Sequence, residues 1–451
     1  MISMEQDTIA AIATAMGQGS IAIIRLSGEH AVDIFEKVFK AAAYRPPYES
    51  HRLMYGHVMD DDTVIDECMG VVMLAPNSYT RENVCEIQTH GGYAAASAVM
   101  RRVIMCGARA AEPGEFTKRA FMNGRIDLSQ AEAVMGIIDA NSQAALRNQE
   151  RQLQGGAMHF VHEAQQRIIG LLAGLEAHID YPDEIDESEA LIGLTEGLNR
   201  LIADLEGAVR KQAARIIREG LYVVLCGSPN AGKSTLFNRL IGEERAIVTE
   251  IPGTTRDVLE STFMLDGVAV HLMDTAGLRQ TSDTVEQIGV KRAMQAIGSA
   301  DAFLLLVDGT NIRNMELLPM EAKNIPHAVL INKRDLRGCA AEDELRAFYP
   351  DETIISLSAK TGEGVDRILD FLRPLVQLPQ NDLLTNERHI QLIEEAVERL
   401  KTALNGLEEN TLLDFAAIDL HEALYILGRI TGDSVDEKLL DEVFEHFCVG
   451  K

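Results

Sequence analysis

The sequence contains no tryptophan, and aromatic residues make up only 5% of its 451 positions. So few flat side chains exclude an extended platform on which bases of single-stranded nucleic acid could stack. Basic residues are also scarce. Lys and Arg number 42 against 69 Asp and Glu, a formal net charge of −27. Such a chain repels nucleic acid and anionic lipid unless its cations are gathered locally. The six cysteines are Cys68, Cys85, Cys106, Cys226, Cys339 and Cys448, and no two have C-x-x-C spacing. A zinc ribbon and a thioredoxin-like site are therefore not signalled, and reduced thiols in a cytoplasmic protein are expected. The longest apolar run is Ala302–Val307, which reads as a buried strand and is far short of a membrane span. Met1–Ala10 has neither a basic nor an apolar region, so no signal peptide is expected.

What is present is ordinary globular material. Hydrophobic residues make up 46% of the chain, enough for several cores. At ~150 residues per domain, the length implies about three domains. Residues 1–118 mix short β-branched runs (Ile21–Leu26, Val71–Leu74, Val84–Gln88) with Gly and Pro, the texture of an α+β domain. Residues 119–215 turn helical. Ser129 and Glu132 have capping-box spacing. Met158, Val161, Ile168, Leu172, Leu175 and Ile179 recur on one helix face. His159 and His162 on that helix read as surface residues. Asp180–Glu189 holds six acids and no base, and reads as a solvated loop or helix start. Residues 216–378 alternate apolar runs with helical stretches, the pattern of a mostly parallel α/β sheet. Residues 379–451 are helical again, with Ile393, Val397, Leu400, Leu404 and Leu407 on one face. Two helical flanks predict one helical-bundle domain with the α/β domain inserted in it.

The inserted domain carries phosphate-binding chemistry. Leu221–Cys226 runs into Gly227-Ser228-Pro229-Asn230-Ala231-Gly232-Lys233-Ser234, a match to G-x-x-x-x-G-K-[ST] followed by a helix starting near Thr235. Glycines let backbone N–H groups wrap phosphates, and the helix N-terminus adds its dipole. Lys233 reaches the β- and γ-phosphates, and the Ser234 hydroxyl ligates Mg²⁺. Asp274-Thr275-Ala276-Gly277 follows the strand Val268–Met273, with Asp274 toward Mg²⁺ and Gly277 toward the γ-phosphate. Upstream, Gly253-Thr254-Thr255-Arg256-Asp257 places a Thr to sense Mg²⁺ and γ-phosphate. Asn332-Lys333-Arg334-Asp335 and Ser358-Ala359-Lys360 each follow a strand and complete a base pocket. The Asp335 carboxylate accepts from N1–H and the 2-amino group of guanine, two donors adenine lacks. Five elements in this order, each at a strand end, specify a Ras-like P-loop GTPase. The residue after Asp274–Gly277 is Leu278, where Ras-like enzymes have the water-orienting Gln. The replacement comes from elsewhere, with Arg279, Gln280, Asp283 and Glu286 nearby.

The chain resembles the MnmE (TrmE) family of tRNA modification GTPases along nearly its whole length. The resemblance rests on Asp7-Thr8-Ile9-Ala10, Ile24-Arg25-Leu26-Ser27-Gly28, Ser78-Tyr79-Thr80-Arg81-Glu82, His90-Gly91-Gly92 and Pro113-Gly114-Glu115-Phe116-Thr117. It rests also on Gly253–Asp257, Asp274–Arg279 and the terminal Phe447-Cys448-Val449-Gly450-Lys451. It implies a potassium-dependent GTPase whose G domains pair face to face. In that family pattern Asn230 is a K⁺ ligand, and the loop bearing Thr249, Ile251 and Thr254 closes over the ion, with Thr255 and Ser234 at Mg²⁺. Glu286 takes the water-orienting role. The N-terminal module is implied to bind a 5,10-methylene-tetrahydrofolate-type or formyl-folate cofactor and to dimerise. Arg25, Glu82 and Arg125 match its folate positions, and Cys448 lies near the modification site. Met16-Gly17-Gln18-Gly19-Ser20 departs from the family's Pro-Gly-x-Gly-Gly loop, so no role is carried to Gln18. The resemblance further implies a MnmG (GidA) flavoprotein partner that supplies FAD, in a heterotetramer acting at C5 of the tRNA wobble uridine. The product is of aminomethyl or carboxymethylaminomethyl type. The alternative is a ribosome-assembly or signalling GTPase acting only as a binding switch. Two basic clusters offer phosphate contacts: Arg101, Arg102, Arg109, Lys118, Arg119 and Arg125, and then Arg210, Lys211, Arg215 and Arg218.

Overall fold

A computed structural model describes residues 7–180, 187–228, 230–243, 259–274, 300–311, 321–336, 346, 348–377, 384–408, 413–435 and 437–450. The chain divides into two compact units. One comprises Met1–Met135, Gln152–Leu205 and Gln391–Lys451, the other Gly136–Arg151 and Glu206–Ile390.

The first unit is built on a seven-stranded sheet. Its strands are β1 (Ile9–Ile12), β2 (Ile21–Ser27), β3 (Phe39–Ala41), β4 (Met54–Asp60), β5 (Thr63–Met73), β6 (Val84–His90) and β7 (Arg109–Ala110). Their order is β3-β4-β5-β6-β2-β1-β7, antiparallel throughout except where β1 meets β7. Alternation in β2 sorts its side chains between two faces. Ile24 and Leu26 join Ile34, Phe35 and Val38 of helix Ala31–Val38, with Val99 and Val103 of helix Tyr93–Met105, in the main core. Arg25 faces the other way. It lies 5.8 Å from the ring of Phe116, which is buried with Ile9 and Ala11 in a smaller cluster.

The remainder of this unit is helical. Gly156–Asp180 packs along Leu413–Thr431. Val161, Ile168, Leu172 and Leu175 are buried as their spacing predicts, but Met158 is 43% exposed. Ala157 and Ala164 supply the buried positions of the first turns instead, because small residues allow closer approach there. The capping box also lies two residues earlier than expected. Asp127 Oδ1 accepts from the Gln130 N–H at 2.9 Å, and Gln130 Oε1 accepts from the Asp127 N–H at 2.9 Å. Asp is an equally strong cap, and its position lets the helix Leu128–Asp139 begin on buried Leu128. Leu128 then packs with Leu440, Phe444 and Phe447.

The second unit holds a six-stranded sheet. Its strands are β8 (Leu221–Gly227), β9 (Leu259–Leu265), β10 (Val268–Asp274), β11 (Ala302–Asp308), β12 (His327–Asn332) and β13 (Ile354–Ser356), in the order β13-β12-β11-β8-β10-β9. All neighbours are parallel except β9, which returns antiparallel to β10. Six of the seven residues of β11 are buried, so its near-continuous apolar run is that of a strand covered on both faces. The edge strand β9 is not expected from the sequence analysis. Its signal is present, however: Asp266-Gly267, at φ +50° and +86°, is a two-residue hairpin turn between apolar-alternating strands.

Among the described residues, no helix is long and apolar enough to cross a membrane. The thiols of Cys68 and Cys85 are buried, and burial pushes Cys68 up to about 12 and Cys85 further still.

Candidate functional site

The parallel strands β8, β12 and β13 end on one edge of their sheet, and the segments that follow them line a cavity of about 580 Å³. Ligands of open α/β sheets bind at that carboxyl edge. The backbone there is shaped for close approach. Gly227 has φ +150°, and a Cβ on it would stand 2.1 Å from the Leu306 carbonyl oxygen. Gly232 has φ +102°, and a Cβ on it would stand 2.3 Å from Asn332 Nδ2. Only glycine fits either place. Asn230 sits between them in the left-handed region at φ +67°, a conformation Asn tolerates better than most residues.

Of the predicted nucleotide contacts, Asn230, Gly232, Lys233, Ser234 and Thr235 line the cavity from the Gly-rich loop, while Asn332, Lys333, Asp335, Ala359 and Lys360 line it from the base side. Ala231 and Ser358 are fully buried behind this wall. Asn332 welds the two sides together. Its Nδ2 donates to the Ala231 carbonyl at 2.7 Å, and its Oδ1 accepts from the Ala359 N–H at 2.8 Å. Ser358 Oγ donates to Asp335 Oδ1 at 2.7 Å and accepts from the Thr361 N–H at 3.2 Å. The Lys233 ammonium, 8% exposed as a residue, donates to the carbonyls of Gly227 and Ser228. Asp274 ends β10 beside Leu225 of β8. Thr249, Ile251, Thr254, Thr255, Gly277 and Glu286 lie outside the described residues, as do Arg279, Gln280 and Asp283.

Two residues at this edge were not singled out by the sequence analysis. Leu336 joins the cavity lining. Asp308, at the end of β11, accepts from Lys333 Nζ at 2.7 Å. Burial pushes the Asp308 carboxyl up, but the Lys333 and Thr310 hydrogen bonds outweigh it and hold it below its ordinary value. Its position directly after an apolar strand and before Gly309-Thr310 was the available signal.

A second constellation lies on the open face of the N-terminal sheet. Arg25 Nε donates to Glu86 Oε1 at 2.8 Å, and its guanidinium stands 5.6 Å from the centre of the Tyr79 ring. Arg125 approaches the same ring at 4.7 Å. Both lie within cation–π range. Tyr79, quoted earlier only for the resemblance, is therefore the shared aromatic of the pair, and its hydroxyl meets Thr117 Oγ1 at 2.9 Å. Glu82 is committed elsewhere. It accepts from Ser27 Oγ at 2.6 Å and from buried Arg119 at 3.3 Å. Arg119 in turn donates to Asp7 and Glu115, which Arg109 also reaches. Burial pushes the Asp7 and Glu115 carboxyls up, and the Arg109 and Arg119 hydrogen bonds outweigh it, so both lie below their ordinary values. The C-terminal segment reaches this face: Val449 bridges to Pro113, and the Gly450 carbonyl accepts from Arg25. Cys448 between them and Phe447 is exposed. His159 and His162 are exposed, and no cluster of metal-ligating side chains occurs among the described residues.

Much of each basic cluster is already paired or buried, although Arg101, Arg125 and Arg210 are exposed. Arg102 pairs with Asp60 and Asp61, Arg109 with Asp7 and Glu115, Lys118 with Asp441, and Arg119 is buried. In the second cluster Arg215 pairs with Asp301, and Arg218 with Glu219 and Glu387. Linear proximity placed the bases together, and the fold supplies several of their acids, Asp60, Asp7, Asp441, Asp301 and Glu387, from distant positions.

Comparison with known proteins reaches both ends of the chain. Residues 8–125 match the family model for the GTP-binding protein TrmE N-terminus, and residues 128–448 match that for the MnmE helical domain. The tRNA modification GTPase MnmE of Streptococcus thermophilus is 42% identical over 100% of both chains. That of Listeria welshimeri is 41% identical over 99% of this chain and 100% of its own, and that of Clostridioides difficile is 40% identical over 99% of each. The FeoB G domain of T. maritima aligns with 35% of this chain at 24% identity and a TM-score of 0.26, too low to add weight. With a family model over residues 128–448 and relatives aligned end to end, the chain belongs to the MnmE family of tRNA modification GTPases.

Proposed function

We propose that this chain hydrolyses GTP in the service of tRNA modification. The observation that carries the reading is the cavity at the carboxyl edge of β8, β12 and β13, where a phosphate-binding loop and a guanine-type base pocket share one hydrogen-bonded wall through Asn332. The name carried by the aligned relatives supports tRNA as the macromolecule served. In this reading Asn230, Ala231, Gly232, Lys233, Ser234 and Thr235 hold the phosphates. Asn332, Lys333, Asp335, Ser358, Ala359 and Lys360 hold the base.

The metal assignments fit the donors present. The exposed side chains of Asn230 and Ser234 on the cavity offer hard oxygen ligands, suited to K⁺ and Mg²⁺ and not to soft metals. Those cations would neutralise charge developing on the transferred phosphoryl group. Thr249, Ile251 and Thr254 are the further K⁺ ligands of this proposal, Thr255, Asp274 and Gly277 its further Mg²⁺ and γ-phosphate contacts, and Glu286 its water-orienting residue.

We also assign a one-carbon folate to the face bearing Arg25, Tyr79 and Arg125. Two guanidinium groups over one aromatic ring suit an anionic, flat cofactor. Glu82 is a contact only if it leaves Ser27 and Arg119, while Cys448 is close in sequence to Gly450, which Arg25 already holds. The division of labour follows the boundaries 1–118, 119–215, 216–378 and 379–451. A homodimer through the N-terminal domain, a MnmG-type FAD-bearing partner and a cytoplasmic location complete the proposal. The deciding experiment is mass spectrometry of wobble nucleosides from a deletion strain, with and without complementation. Unchanged C5 modification in the deletion strain would refute the tRNA role, and co-purification with ribosomal subunits would favour the switch alternative.

A further inference from the structure

One lysine of the cavity wall, Lys333, is ion-paired from behind the lining in a way that phosphate binding and guanine reading leave unexplained. Asp308 closes β11 and stands in register with Asn332, the last residue of β12. Lys333 follows Asn332 at φ +70°, a conformation that a non-glycine residue keeps only where its surroundings hold it. Its ammonium donates to Asp308 Oδ2 at 2.7 Å. The other carboxylate oxygen accepts from the Thr310 N–H at 3.0 Å and the Thr310 hydroxyl at 2.7 Å. Three donors therefore fix the Asp308 carboxylate. The main chain locks the same junction, since the Gly309 N–H donates to the Asn332 carbonyl at 3.1 Å.

We propose that Asp308 is a positioning residue for guanine-nucleotide binding, holding the Lys333 side chain in place as one wall of the cavity before the nucleotide arrives. This rests on the guanine-nucleotide reading above. Lysine is among the side chains with most rotamer freedom to lose. A lysine already ordered by Asp308 loses less of it on binding, so part of the ordering cost falls on folding and not on association. Asp308 touches no nucleotide in this account and acts only through Lys333.

The test uses the full-length, nucleotide-free protein and GDP as the probe, with Asp308→Asn, Lys333→Met and the double variant. Asn is isosteric and still accepts from Thr310, so the turn after β11 is kept while the ion pair loses its charge. Partly exposed ion pairs have modest effects, so Asp308→Asn is expected to weaken GDP binding about three- to fivefold. The double variant should bind no more weakly than Lys333→Met alone, because neighbouring residues acting as one unit are not additive. For GTP hydrolysis, KM should rise with the affinity loss while kcat changes by less than about twofold. The proposal is overturned if Asp308→Asn binds GDP like the wild type, or if the two single losses multiply in the double variant. A fall in kcat as large as the loss of affinity, with a lowered melting temperature, would mark a merely structural role and overturn it too. A wild-type chain that binds no guanine nucleotide would remove the functional reading, and this proposal with it.

Discussion

Arg25 donates to the backbone carbonyl of Gly450 at 3.2 Å, joining residues 425 positions apart. Gly450 can take that place because it has φ +99°, and a Cβ there would stand 2.9 Å from the Ile12 carbonyl oxygen. The C-terminal segment is therefore seated on the same sheet face as Tyr79 and Arg125, and Arg25 is shared between that segment and the proposed folate site.

Replacing Arg25 by Ala removes a charge-assisted contact to Glu86, a cation over Tyr79 and the tie to Gly450. Charged contacts of this kind contribute about 1.5–3 kcal/mol each when well made, which corresponds to at least a tenfold change in affinity. Arg25→Ala is expected to weaken 5-formyl-tetrahydrofolate binding by about tenfold or more and leave GTP turnover intact. Equilibrium dialysis beside a phosphate-release assay measures both. Unchanged folate affinity would remove Arg25 from the site.

The Asp7–Arg109–Glu115–Arg119 network predicts an acid limb in stability. Asp7 and Glu115 lie below their ordinary values of 3.8 and 4.5 in the folded chain. Their contribution is therefore fully present above those values and is lost as pH falls through the lower folded ones. Thermal melts from pH 6 downward should show Asp7→Asn losing less stability with acid than the wild type. At neutral pH the same variant should be less stable by about 1 kcal/mol, since Arg119 keeps Glu82 and Glu115. Parallel melting curves for the two proteins would contradict this.

Elements whose signal is local were legible in the sequence. The run Ala302–Val307, the phosphate loop and the segments Asn332–Asp335 and Ser358–Lys360 lie where their residue types predict, because apolar periodicity and glycine chemistry act over a few positions. Contacts between distant positions were not legible. Nothing near Arg102 or Lys118 in the chain announces Asp60 or Asp441, and so two cations offered as phosphate contacts are already paired. Tyr79 acquired a role only once β2, Arg125 and the C-terminal segment were seen to share its surroundings. The strand β9 was legible in principle through Asp266-Gly267, but its alternation is short and interrupted by polar residues.

Potassium should accelerate GTP turnover relative to sodium at equal ionic strength. Asn230 is held at φ +67° with its side chain on the cavity, and a cation of the right radius there adds positive charge where no arginine finger is identified. Steady-state phosphate release in KCl and NaCl measures this, and equal rates would discard the K⁺ assignment. Within the same assay, Glu286→Ala should slow hydrolysis by about a hundredfold or more while GDP affinity holds.

The paired basic clusters predict weak, cluster-independent tRNA binding by the free chain. Arg102→Ala and Lys118→Ala remove cations that already have carboxylate partners, so each should change tRNA affinity by less than about twofold. Exposed Arg101 and Arg125 have a better claim to phosphate, and each lost phosphate contact should lower the salt slope of binding by about one. Filter binding across a salt series separates the cases. A large, salt-steep loss in Lys118→Ala would mean that the Asp441 pair opens to admit a phosphate, and that the fold's internal neutralisation is part of recognition and not a bar to it.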